Sequence, residues 1–231
     1  ANSEVIHNMA YEKILDVLHL THVFEENLNE KVIKGRVDYL RKYNNKVYAD
    51  DKKQYIYSIM LFTLFVENVS LFSQFYIIMH MNRNKAVMKD CAQQVQYTRN
   101  EEMLHAQVGI KLINTLREEY PELFDAELES RVKEECIDAL KAESKVIDWI
   151  MGDYETKGLS AGILKSFIAK RMADSLDQIG FDNSEIIYNQ DDVDQTFWFD
   201  EELLGANMTD FFQKRPVEYA KGQGITADDL F

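Results

Sequence analysis

Two short units hold the side chains from which a metal site would be built: Glu4-Val5-Ile6-His7 and Glu102-Met103-Leu104-His105. Residues i and i+3 share one face of a helix, so each unit turns a carboxylate oxygen and an imidazole nitrogen toward the same point. One Glu-x-x-His says little, because helices carry both residues freely. Two of them, each inside apolar helical sequence in a chain with 5 His, say more. A third carboxylate, Glu67, is the one charged side chain within residues 55–79, and burying it is costly unless a cation or donors meet it. Carboxylates and imidazoles without a thiolate suit iron or manganese, with zinc open. Bridging carboxylates would hold two cations against their mutual repulsion, and two such metals with open positions can activate dioxygen. Tyr11 lies one turn beyond His7 on the same face. Beside such a site it becomes a candidate redox-active phenol; otherwise it is an ordinary core tyrosine.

The elements that position these groups read as helices. With 9 Gly and 2 Pro in 231 residues and long periodic segments, the chain is all-α. The period predicts helices over 2–24, 28–43, 52–81, 85–117, 122–152 and 160–179, and a short one within 201–212. The helix around Glu67 has no polar face and is expected to be buried on all sides. It is long enough to span a bilayer, but Glu67, Asn68 and Gln74 argue for a core helix. From Asp182 the pattern dissolves: residues 184–199 are polar and acidic with scattered aromatics, and the end looks like an extended tail without a core. Two Glu-x-x-His helices joined by single carboxylates from two others is the ligand pattern of ferritin-like dimetal bundles. The expected organisation is therefore a ferritin-like bundle over 1–181 and a C-terminal region over 182–231.

Other residues are set aside. In a continuous first helix His22 lies roughly 27 Å along the axis from Glu4 and cannot join the same site. Asp16, His19 and His22 read as surface or inter-helix residues, and His80 as structural. The net charge of −14 disfavours nucleic acid and anionic membrane as partners. Cys91 and Cys136 read as buried, reduced thiols, which suits the cytoplasm.

Taken together, the sequence resembles the small, radical-generating β subunit of class I ribonucleotide reductase. The resemblance runs over nearly the whole chain. Its most specific parts are Ser3-Glu4-Val5-Ile6-His7-Asn8-Met9-Ala10-Tyr11, Val66-Glu67-Asn68, the second Glu-x-x-His, and the tail with Arg215-Pro216-Val217-Glu218-Tyr219 and Asp228-Asp229-Leu230-Phe231. The resemblance implies that Glu4, His7, Glu67, Glu102 and His105 ligate a dinuclear iron or manganese centre. It implies that Tyr11 becomes a stable radical when the reduced metals meet dioxygen. The hole would pass through Tyr219 to a cysteine of a separate large subunit, where ribonucleotides lose the 2′-hydroxyl. The last residues, with Ile225, Asp228, Asp229, Leu230 and Phe231, would anchor the tail to that subunit. Leu71 and Phe75, one and two turns after Glu67, would shield the radical. A homodimer is expected.

Two departures from the family pattern stand out. The family carries one more ligand, an Asp on a helix before the first Glu-x-x-His, together with an upstream tryptophan used in radical transfer. Only three residues precede Glu4 here, so a fragment, a separate N-terminal polypeptide and an incomplete site all stay open. The family also has Asp before the second Glu-x-x-His, bonded to the first metal-bound histidine. Glu101 stands here, one methylene longer, facing His7 in the expected arrangement. The competing functions are a ferritin-like dimetal oxidase or storage protein, and a non-catalytic fragment of the small subunit.

Overall fold

The computed structural model describes residues 2–41 and 51–201, and side chains from Glu4 onward. Its helices run in the order α1 (Asn2–Val17), α2 (Thr21–Asn27), α3 (Lys31–Arg41), α4 (Lys52–Leu61), a π-helical segment (Phe62–Ser70), α5 (Phe72–Lys85), α6 (Lys89–Glu119), α7 (Ala126–Met151), α8 (Ala161–Gln178) and α9 (Gln190–Asp194). Among the described residues the only departure toward sheet is an isolated bridge between Thr156 and Leu159. The chain is an all-α bundle.

Local chemistry sets the ends of these rods. Asp51, Asp125 and Ser160 cap α4, α7 and α8, each accepting from the amide three residues on. The first helix, expected to run to residue 24, stops at Val17. His19 takes a left-handed conformation, φ 57°, and the amides of His19 and Leu20 return to the carbonyls of Asp16 and Leu15. This is a Schellman closure with a histidine where glycine is usual. His19 is thus a helix terminator.

α4, the π segment and α5 form one rod, Lys52–Lys85, long and apolar enough to cross a membrane; 67% of its apolar window is buried in the bundle. Met60, Leu61, Leu64, Phe65 and Val69 on it are fully enclosed, with Ile113 of α6, Cys136, Ala139 and Ile147 of α7, and Leu164, Met172 and Leu176 of α8. Each large aliphatic side chain so buried contributes about 1.5–3 kcal/mol. This rod is the axis of the core. Gly109 lets α6 lie close against it: a Cβ at that position would collide with Thr63 of the π segment.

Residues 184–199, expected to carry no core pattern, do pack. Ile186, Val193, Thr196 and Phe199 are buried, and Phe199 sits among Phe72, Tyr76, Phe167 and Trp198. Val193, Thr196 and Phe199 stand three residues apart and follow one another through i→i+3 backbone bonds, a run too short and too mixed with acidic residues to show as a hydrophobic period. Beyond Glu201, the short helix expected within 201–212 and the tail lie outside the described residues.

Candidate metal centre

Three elements converge beside the middle of the core rod. α1 runs against α6, bringing Glu4 and His7 to Glu101, Glu102 and His105. The π segment supplies Glu67. Glu102 lies at the centre. Its Oε1 is 3.3 Å from His7 Nδ1 and its Oε2 is 3.3 Å from His105 Nδ1. Glu4 spans the same two rings, with Oε2 3.3 Å from His7 Nδ1 and Oε1 3.6 Å from His105 Nδ1. Glu67 Oε2 is 3.3 Å from His105 Nδ1. Two ligand groups result, Glu4–His7–Glu102 and Glu67–Glu102–His105, and within each all donor atoms lie within 4.8 Å of one another.

This donor set fits a pair of divalent cations. An ion with bonds of about 2.1 Å holds its ligand atoms ~3.0–3.4 Å apart, the spacing seen here. Electrostatics agree. Burial raises the carboxyl pKa of Glu67, and burial together with the neighbouring Glu67 and Glu4 pushes Glu102 up to about 8. Without a cation this crowding favours a proton held between the two carboxyls, because like charges so close resist ionising together. Metal ions would displace that proton.

The hydrogen bonds around the ligands orient them. His7 Nε2–H donates to Glu101 Oε2 at 3.0 Å, since an ionised carboxylate can only accept. That leaves the Nδ1 lone pair facing Glu4 and Glu102, the tautomer a metal needs. The longer glutamate reaches the ring. Tyr11, partly buried, donates its phenolic hydrogen to Thr98 Oγ1 at 3.1 Å, and Thr98 donates onward to the Gln94 carbonyl at 3.1 Å. Burial raises the Tyr11 pKa, so the phenol keeps its proton.

The structure thus gathers Glu4, His7, Glu67, Glu101, Glu102 and His105, with Tyr11 one turn along α1. It does not gather every residue expected there. Leu71, expected as an apolar shield one turn after Glu67, is 38% exposed: the wide π turn changes the spacing and rotates it away. Phe75 is buried, edge-on to Phe72 at 5.6 Å. His80 is buried and within hydrogen-bonding reach of the Lys157 carbonyl, 3.1 Å away, a structural role. Tyr219, Ile225, Asp228, Asp229, Leu230 and Phe231 lie outside the described residues. Thr98 and Gly109 went unread in the sequence. The one hint was a glycine inside a strong helical pattern, which signals close approach of a neighbour.

The comparisons with known proteins agree with one another. Residues 1–203 match the family described as ribonucleotide reductase, small chain. The probable ribonucleoside-diphosphate reductase small subunit of Invertebrate iridescent virus 3 is 27% identical over 241 residues, covering 97% of this chain and 62% of its own length. The ribonucleoside-diphosphate reductase subunit beta of Treponema pallidum is 21% identical over 237 residues, covering 100% of this chain and 66% of its own. The chain therefore spans just under two thirds of these relatives. A Bacillus halodurans protein, whose crystal structure was described as a candidate class I ribonucleotide reductase, superposes with a TM-score of 0.73 at 21% identity. The match covers 86% of this chain and 70% of that one, and it establishes the ferritin-like helical fold.

Proposed function

The chain belongs to the ribonucleotide reductase small-chain family, and from that premise we propose that it is the radical-generating small subunit of a class I ribonucleoside-diphosphate reductase. The observation that carries the reading is the sharing of Glu102 between two carboxylate–imidazole groups, with a protonated phenol on the same helix face as His7. Glu4, His7, Glu67, Glu102 and His105 would hold two iron or manganese ions. When bound, these ions would supply the electrons and the open position through which dioxygen oxidises a nearby phenol. The remaining steps belong to the chain. Glu101 holds the His7 tautomer. Glu67 and Glu102 give up their shared proton as the cations enter. Tyr11 would yield an electron and its phenolic proton together to the dioxygen being reduced, the proton being held beforehand toward Thr98 Oγ1 at 3.1 Å.

The partner is a large subunit that reduces ribonucleotides. Tyr219 relays the hole to it, and Ile225, Asp228, Asp229, Leu230 and Phe231 anchor the tail. Two copies of the chain pair, covering apolar side chains such as Val5, Ile6 and Met9 that one copy leaves more than half exposed. A groove of about 880 Å³ opens beside Glu67 and His105, lined by Phe62, Leu104, Val108 and Leu112. A helix bringing the family's remaining Asp would seat there. Free, buried Cys91 and Cys136 suit a cytoplasmic protein. Storage of iron is not favoured by the family assignment.

The test is electron paramagnetic resonance after anaerobic loading with ferrous or manganous ions and exposure to oxygen, with and without an added N-terminal segment. A tyrosyl signal that Tyr11→Phe removes is the expected result. Silence under every loading, or a signal that survives Tyr11→Phe, would remove the reading.

A further inference from the structure

Glu67 reaches the centre from a π segment, and such a segment needs something to hold it. Widening the turn to i→i+5 and narrowing it again at Leu71 (φ −103°, ψ −9°) disturbs the pairing of carbonyls just after Glu67. Relaxation to a regular helix would change the register by one residue, a rotation of about 100° between Glu67 and everything after it.

Two arginines from different helices meet the segment at this point. Arg171 of α8 donates from Nε to the Asn68 carbonyl at 2.8 Å and from Nη2 to Asn68 Oδ1 at 2.6 Å. Asn68 Nδ2 in turn donates to Ser175 Oγ, one turn along α8. The Arg171 guanidinium lies 3.7 Å over the Phe72 ring, and its remaining arm points to Asp200 at 3.4 Å. Arg36 of α3 donates from Nη2 to the Ser70 carbonyl and, at 2.8 Å, to Ser70 Oγ. Its Nε pairs with Glu143 of α7 at 2.8 Å. Glu143 is fully buried, and its Oε2 has no hydrogen-bond partner among the described residues.

We infer that Arg36 and Arg171 are positioning residues that clamp the end of the π segment and thereby aim Glu67 at Glu102 and His105; the inference rests on the dimetal reading for its functional consequence. Neither arginine touches the ligands. Each satisfies a backbone carbonyl within three residues of Glu67 and is tied to a carboxylate behind it. A planar fork fills both acceptor positions of Asn68 at once, which an ammonium group cannot do.

The experiment uses the whole chain. Arg171→Lys keeps the charge and loses the fork. The double change Arg36→Met with Glu143→Leu removes the other clamp without stranding a buried carboxylate. Asn68→Ala removes the same 2.6 Å bond and stands in should Arg171→Lys fail to fold. Leu176→Ala is the control: it damages α8 and touches no π carbonyl. In the metal-free chain, hydrogen exchange of amides 66–75 should quicken at least ~10-fold in the clamp variants and stay unchanged relative to the other helices in the control. Unchanged exchange, or an equal rise everywhere, overturns the clamp. In Mn(II) titrations read from the free-ion resonance, the clamp variants should weaken the ion held by Glu67, Glu102 and His105 by about 10–100-fold, the range for groups that orient ligands. The other ion should be unaffected. An equal loss in Leu176→Ala, or no loss in the clamp variants, overturns the aiming of Glu67. Should the unsubstituted chain take up no Mn(II), the dimetal reading fails, and the exchange data still decide the clamp.

Discussion

α1 and α8 are both helices of ordinary length, and they are held in opposite ways. α8 has ten buried residues, Leu164, Met172 and Leu176 among them. Among the described side chains of α1 only His7 is buried, while Val5, Ile6 and Met9 are more than half exposed. Yet α1 carries Glu4, His7 and Tyr11. Apolar burial places α8, at about 1.5–3 kcal/mol for each large side chain. Polar convergence on α6 places α1: His7 with Glu101 at 3.0 Å and Glu102 at 3.3 Å, and Tyr11 with Thr98 at 3.1 Å. Such bonds contribute only ~0.5–1.5 kcal/mol each. Without cations α8 is therefore expected to be the more firmly held of the two, and α1, the helix that completes the site, the more weakly held. Cations joining Glu4 and His7 to Glu102 would supply the tie that packing leaves out.

The contrast can be broken most sharply at its shared ligand. Glu102→Ala should abolish tight binding of both ions, a loss of more than ~100-fold in an anaerobic metal titration, because it removes a donor from each group. One ion retained at full affinity would show that the groups are independent. Next comes packing. Leu176→Ala in α8 should cost about 2–5 kcal/mol in urea denaturation, whereas Ile6→Ala in α1 should stay within ~0.5 kcal/mol in the isolated chain. A comparable cost for Ile6→Ala at dilutions where the two copies separate would mean that packing within one copy, and not the polar contacts, places α1. Smaller still, Mn(II) should slow hydrogen exchange over 4–11 while leaving 161–178 unchanged; equal protection in both would erase the distinction.

The mildest expected effect is on pH dependence. Burial raises Glu143 to about 7, Arg36 only partly offsetting it, and Glu102 rises to about 8. Both folded-state values exceed the ordinary carboxyl value, so the folded state binds the extra protons. Their stabilising contribution is complete below about pH 4.5 and is lost as pH rises through 7 and 8. The melting temperature of the metal-free chain should fall by a few degrees across this range. Glu143→Gln should flatten the part of the slope near pH 7. Mn(II) should reverse the part near pH 8, because ion binding releases the proton on Glu102. A flat metal-free profile would mean that both carboxylates ionise freely.

What could be read from the sequence is what depends on neighbours three or four residues away. Glu-x-x-His spacing, the Tyr11 face and the all-α class follow from the 3.6-residue repeat, and the enclosed position of Glu67 follows from the apolar residues around it. The residues that misled the helical pattern answer to partners far along the chain. The π turn that rotates Leu71 outward meets Arg36 and Arg171. Phe199 and its neighbours find the core one side chain at a time. The Arg36–Glu143 pair joins positions more than a hundred residues apart. Local spacing decided which atoms can act together on one helix. Only the packing of helices decided that the two units share Glu102, because meeting across the bundle depends on volumes and close approaches, such as Gly109 against Thr63, that have no period to display.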